Sequence, residues 1–321
     1  MAKETIKNAG NIVELTMNTV QAELKEALLD IDFILNMGEF PRSYLLLGKP
    51  GIGKSSMIRT IVEEMSIKLG QPIGFKELRL SNFTATDIIG LPMLRKDESG
   101  NQKTAYAANS LLPTDADPEY GILLLDELLS ASDDVRKAAL QLADISRGVG
   151  EYKLPKKWLI VAAANGEEDG GIFEGCEPAL IDRFRAIRVV PDIVSWKRWA
   201  VKAGVHPTVI AYLSEHPDRM HNMGDDDDYT LTKNITTLRG WTDLSTMLRA
   251  REARHNNGVV GSLPEETVYA SAAMNVGTNE ATNFSVYYKF NSQLIDFDTV
   301  FNYDGKSAIP GDFQRAEIAY L

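Results

Sequence analysis

The chain has 321 residues, 44% hydrophobic and 25% charged, which is enough for about two domains around one sizeable core. Its 34 Lys+Arg against 45 Asp+Glu leave a net charge of −11, which argues against a general coater of nucleic acid, because such binding rests on cations neutralising phosphates. One cysteine, Cys176, excludes an internal disulfide and a multi-cysteine zinc site. No apolar run reaches the ~18–20 residues of a membrane span, and the N-terminal stretch lacks the apolar segment of a signal peptide, so a cytoplasmic location is expected.

In chain order, Val20, Leu24, Ala27, Leu28, Ile31, Ile34 and Leu35 recur at helical spacing and predict an amphipathic helix that opens the fold. Ser43-Tyr44-Leu45-Leu46-Leu47 reads as a short buried strand, and a glycine-rich turn follows it. From Lys54 the positions Met57, Ile58, Ile61, Val62 and Met65 form a helix stripe. Further strands are expected at 75–80, 122–125, 158–163 and 186–190, with a helix through Val135, Ala138, Ala139 and Leu142. Strands alternating with helices predict a parallel α/β sheet, five-stranded, covered on both faces. After Pro191 the pattern turns helical. The expected divisions are 1–190 for the α/β domain, 191–256 for a small helical domain and 257–321 for a helical C-terminal extension.

Gly48-Lys49-Pro50-Gly51-Ile52-Gly53-Lys54-Ser55 fits the pattern G-x-x-x-x-G-K-[ST]. Its glycines let backbone N–H groups turn toward phosphate oxygens, and the following helix points its positive dipole end at the anion. Lys54 is placed to reach the β- and γ-phosphates and the Ser55 hydroxyl to ligate Mg²⁺. Ile122-Leu123-Leu124-Leu125-Asp126-Glu127 is an apolar strand that ends in two carboxylates. Asp126 would hold the Mg²⁺, and Glu127 would orient and deprotonate the attacking water. Trp158–Asn165 is a buried strand ending in an amide, which either hydrogen-bonds a γ-phosphate or simply opens an Asn-Gly turn. Arg183, before the last strand, is a surface residue, an internal ion-pair partner or a group presented to a neighbour's nucleotide.

These ordered motifs resemble the AAA+ ATPases of the MoxR branch, also called dynein-related or midasin-like, over roughly residues 15–255. The resemblance implies an AAA+ P-loop NTPase core with a small α-helical lid, binding ATP and Mg²⁺. Gly48–Ser55, with Ser56, resembles Walker A, Leu123–Glu127 resembles Walker B, and Asn165 falls on sensor 1. Ala179–Phe184 is similar to an "ALxNRF" segment, which puts Arg183 at the arginine-finger position. Leu238-Arg239-Gly240-Trp241 resembles the sensor 2 segment, although the arginine usually follows Pro, and it would set Arg239 against the γ-phosphate. Asp87–Pro92 is similar to the "DxxGxP" stretch of the helix-2 insertion, a central-pore element. Arg147–Pro155 looks like the hairpin before sensor 1.

What the family implies is a homo-oligomeric ring, a hexamer, doing chaperone-like work on a separate protein partner, frequently one with a von Willebrand factor A domain. The alternative is a nucleic-acid-directed motor of McrB or helicase-loader type. Charge weighs against it, while Arg147, Lys153, Lys156 and Lys157 on the expected hairpin weigh for it. The run Asp225–Asp228, near His216 and His221, lacks the alternating ligands of a calcium loop and reads as solvated.

Overall fold

The computed structural model describes residues 7–9, 12–96, 100–107, 109–166, 182–222, 235–256 and 259–291. Two units emerge from its internal contacts, Met1–Trp196 and Lys197–Leu321.

The first unit begins with two short strands, β1 (Lys7–Ala9) and β2 (Ile12–Thr16). Thr16 then caps helix α1 (Met17–Leu29) by accepting the Thr19 N–H, and after Asp30 a short helix α2 (Ile31–Asn36) follows. The expected opening helix is therefore two helices, and strands precede it. Next come β3 (Ser43–Leu47), α3 (Lys54–Leu69) and β4 (Ile73–Arg79). A hairpin reached through α4 (Ala85–Ile89) consists of β5 (Leu91–Lys96) and β6 (Gln102–Ala107). After it come β7 (Tyr120–Asp126), α5 (Asp133–Ala143), the short pair β8 (Gly148–Val149) and β9 (Tyr152–Lys153), β10 (Trp158–Ala164) and β11 (Phe184–Val190).

The main sheet runs β1-β2-β11-β3-β10-β7-β4, parallel throughout except for the antiparallel β1. It holds seven strands where five were expected. The two additions extend the β11 edge, and β2 is only half-buried, so it lacks the continuous apolar run of β3 or β10. Strands buried on both faces need apolar residues at every position. Hence β3 and β10 are buried along their whole length. One face packs under α1 and α3 through Leu24, Ile58, Ile61 and Leu124, and the other packs α5 through Val135, Ala139 and Leu142 against Leu123 and Leu125. Each of the leucine, isoleucine and valine side chains among these contributes about 1.5–3 kcal/mol by leaving water.

The second unit is helical. Helix α6 (Ile193–Lys202) carries the division between the units, and α7 (Pro207–Glu215), α8 (Leu238–Asn256), α9 (Glu265–Val276) and α10 (Thr278–Asn291) follow. Pro207 suits the first turn of α7, where its missing N–H costs nothing. Trp241 lies against Tyr212 and Phe284 and donates its indole N–H to the Arg219 carbonyl at 3.0 Å. Gly240 is required there, because a Cβ would stand 2.2 Å from the Asn275 carbonyl oxygen. Residues 197–256 fall in one unit with α9 and α10. No described helix is long and apolar enough to cross a membrane.

Candidate functional site

Parallel pairing brings the carboxyl ends of β3, β10, β7 and β4 to one rim, the place where open α/β sheets bind ligands. Leu47 pairs with Ala164, Leu125 with Ala162, and Arg79 with Asp126, so the segments just beyond these strands meet. The glycine-rich turn leaves β3 here. The Gly48 N–H donates to the Ala164 carbonyl at 3.2 Å, which ties the turn to β10. A Cβ at Gly48 would come 2.8 Å from the Val189 carbonyl oxygen, so the loop needs glycine at that point. Gly53, with φ +99°, starts α3 in a conformation that few other residues adopt. Buried Ile52 anchors the turn in the core, while Lys49, Pro50, Gly51 and Ser56 surround it at the surface or half-buried.

Lys54 is 8% exposed. Its ammonium donates to the carbonyls of Gly48 at 2.6 Å and Lys49 at 3.0 Å, and to Asn165 Oδ1 at 3.4 Å. The Ser55 hydroxyl donates to Asp126 Oδ2 at 2.9 Å, and Asp126 Oδ1 accepts the Glu127 N–H at 3.0 Å. Lys54, Ser55, Asp126, Glu127 and Asn165 thus belong to one cluster built from three segments. Two hard oxygen donors, Ser55 and Asp126, side by side beneath a helix N-terminus, suit a Mg²⁺ ion and the anion it accompanies. The close-packed Gly48 turn and the Lys54 ammonium suit the phosphates of a nucleotide.

Glu127 stands at φ +57°, a region that costs a non-glycine residue of order 1 kcal/mol. Its carboxylate accepts the Ser81 hydroxyl, and Arg79 Nε lies 3.6 Å from its other oxygen. Arg79 ends β4 and Ser81 sits in the single 3₁₀ turn after it. Motif reading did not single out either residue. Polar side chains just past the strand that pairs with β7 were the available signal.

Arg183 lies elsewhere. Phe184 pairs with Ser43, so Arg183 stands at the opposite rim, about 13 Å of strand away from the Gly48 turn. Its guanidinium faces Asp144 at 3.7 Å, and Arg42 donates to the neighbouring Asp182 carbonyl. Arg239 is in the second unit, in the first turn of α8. Residues 179–181, Cys176 and Asp225–Asp228 lie outside the described residues. Among the described residues no group of three or more His, Cys, Asp or Glu side chains is placed to hold a metal.

The basic hairpin needs correction. Arg147 is 5% exposed, donates to the carbonyls of Pro41 and Trp158, and lies over the Phe40 ring. Burial pushes its guanidinium pKa down to about 10. Lys157 is held by Asp32 at 2.9 Å and Glu119 at 2.8 Å. Two of the four cations are therefore structural, which spacing alone does not reveal because both flank exposed turns.

Residues 43–184 match the family model of the AAA domain (dynein-related subfamily). Among solved structures the chain is similar to Hsp104 in a closed-state cryo-EM reconstruction with ATPγS and FITC-casein, at 17% identity and a TM-score of 0.35, over 71% of this chain and 41% of that one. It is also similar to the Aeropyrum pernix ORC1 protein in complex with DNA, at 15% identity and a TM-score of 0.46, over 80% and 64%. The chain spans less than two thirds of either structure's length. No curated protein matches the sequence. Residues 43–184, which hold the whole cluster at the strand ends, are thus similar to the AAA domain of the dynein-related subfamily.

Proposed function

We propose that this chain is a MoxR-like AAA+ ATPase that assembles into a homo-oligomeric ring, a hexamer, and couples ATP binding and hydrolysis to remodelling of a separate protein partner. The observation that carries the reading is the convergence of Lys54, Ser55, Asp126, Glu127 and Asn165 at one rim of the sheet. Lys54 and the Gly48–Ser55 backbone bind phosphate oxygens, and Ser55 and Asp126 hold Mg²⁺. The ion, when bound, supplies neutralisation of charge on the phosphate oxygens. The Glu127 carboxylate orients a water and accepts its proton, and the Asn165 amide fixes that water from the other side. Release of Glu127 from Ser81 and Arg79 is needed for both of its oxygens to serve.

Arg183 is set on the far rim of its own sheet, so it serves the nucleotide of a neighbouring subunit. Such a finger is worth about 10³–10⁵ in rate. In the same reading Arg239 contacts phosphate. A partner bearing a von Willebrand factor A domain fits the family pattern, and cytoplasm is the expected compartment. The burial of Arg147 and the ion pairs of Lys157 weigh against a nucleic-acid track on the hairpin before β10.

The test is complementation. Lys54→Ala and Arg183→Ala proteins should each be folded and nearly inactive. Mixed with ATP and Mg²⁺, they should regain part of the parent turnover, because some interfaces then pair an intact phosphate loop with an intact finger. No rescue in verified mixed oligomers, or a protein that stays monomeric with nucleotide at high concentration, would contradict the assignment.

A further inference from the structure

Arg183 combines a tied backbone with a loosely held side chain. Arg42 donates to the carbonyl of Asp182, the residue before it, and Phe184, the residue after it, is buried in β11 and paired with Ser43. The chain is fixed on both sides, and the side chain of Arg183 is the part left free to swing. Its Nη2 lies 3.7 Å from Asp144 Oδ2, and the two side chains are 31% and 44% exposed. That separation exceeds the ~3.2 Å reach of an ordinary N–H···O hydrogen bond. An ion pair so long and so open to water is worth little, and a group with more negative charge displaces the carboxylate at small cost.

Asp144, by contrast, is firmly placed. It follows the last turn of α5, its N–H donates to the Gln141 carbonyl at 3.3 Å, and its carbonyl accepts the Arg147 N–H at 2.9 Å. Arg147 is itself buried, at φ +47°, and donates to the carbonyls of Pro41 and Trp158. Asp144 Oδ1 accepts the Ile145 N–H at 2.8 Å, which leaves Oδ2 for Arg183. The carboxylate also stands at the carbonyl end of α5, where the helix dipole adds negative charge. A movable cation therefore rests beside a fixed anion.

We infer that Asp144 is a positioning residue that parks the Arg183 guanidinium in the lone subunit and competes for it with the phosphates of a neighbour's nucleotide. This rests on the reading that Arg183 serves a neighbouring subunit, and it adds a sign: the carboxylate restrains assembly and turnover. A guanidinium that keeps its ion pair brings less net positive charge to the phosphate, so loss of the carboxylate strengthens the finger. The weakness of an exposed pair limits the gain to about two- to fivefold.

The test uses the full chain with ATP and Mg²⁺. It reads the protein concentration at which nucleotide-dependent oligomers are half formed, by light scattering, and the steady-state turnover at that concentration. Asp144→Asn keeps an oxygen to accept the Ile145 N–H and removes the charge, and Asp144→Ser does the same with a smaller side chain. Both should lower the assembly midpoint and raise turnover by about two- to fivefold, and the gain should shrink as salt is raised, because an exposed pair is screened. Combined with Arg183→Ala, the same substitutions should assemble no better than Arg183→Ala alone, since no pair is left to break. An unchanged or raised midpoint in both variants, or a gain of equal size in the Arg183→Ala background, would overturn the inference. If Arg183→Ala alone assembles and turns over like the parent, the finger reading itself fails, which separates that failure from failure of the Asp144 assignment.

Discussion

Glu127 shows how a single side chain can be built for a task and restrained at once. Its strained backbone and its contacts to Ser81 and Arg79 are local features, yet they fix where the proposed base points. His206 is a residue whose protonation state its surroundings set. It is fully buried, its Nδ1 accepts the Thr208 N–H at 3.2 Å, and its Nε2 meets Glu252 Oε2 at 2.9 Å. Glu252 also accepts the Tyr288 hydroxyl and the Gly261 N–H. The arrangement is written for a neutral imidazole beside a carboxylate. Burial pushes the His206 pKa below the usual value, against the pull of Glu252 and with a small push from Arg249. The folded state then binds fewer protons than the unfolded one, so stability falls as pH drops below about 6.5. In urea unfolding of the full chain, followed by hydrogen exchange in α7, the parent should lose stability from pH 7.5 to 5.5 more steeply than His206→Gln. Parallel profiles would contradict this. The glycine-rich turn and the paired carboxylates were legible in the sequence because their spacing is the chemistry. Ser81 and Arg79 were not, since only the β4–β7 register brings them to Glu127. Arg147 misled because a charged residue beside a turn gives no sign that it is buried.

At the level of elements, the strands that carry the site are held in place by their packing upstream. Trp158, fully buried on β10, lies across Gly121 of β7 and Gly74 of β4, two residues paired with each other. A Cβ at Gly121 would stand 2.4 Å from the indole, and one at Gly74 2.5 Å. The indole N–H donates to the Pro118 carbonyl at 3.0 Å, so the ring has little freedom to retreat. Gly121→Ala should therefore cost about 1–3 kcal/mol of overpacking. Thermal or urea unfolding measures it, and a change within about 0.5 kcal/mol would show that the ring can shift. The continuous apolar runs of β3, β7 and β10 made those strands readable, because both faces are covered. β1, β2 and the β5–β6 hairpin were not readable as strands. The side chains of β2 are half-buried and those of the hairpin, apart from Ala105, are half-buried or exposed, and neither periodicity nor apolar content marks these strands. The helices of the second unit lie in the stretch after Pro191 whose pattern reads as helical.

At the scale of the molecule, the two rims of one sheet carry different parts of the proposed chemistry. The carboxyl-end rim gathers the phosphate loop, Asp126, Glu127 and Asn165, and the opposite rim carries Arg183. A single copy of the first unit therefore keeps Arg183 away from its own phosphate loop, and the proposed finger role requires a neighbouring subunit. The chain divides after Trp196, inside α6, whereas composition suggested a change at Pro191. Sequence character shifts where the strands end, but a helix can belong by contact to what precedes it. In the proposed reaction Glu127 activates water for ATP hydrolysis at this rim. The most direct measurement is steady-state ATP turnover by Glu127→Gln with Mg²⁺, alongside nucleotide affinity. Turnover should fall by about 10²–10⁴-fold while affinity is kept, because the carboxylate acts only in the transition state. Turnover at the parent rate would contradict the account.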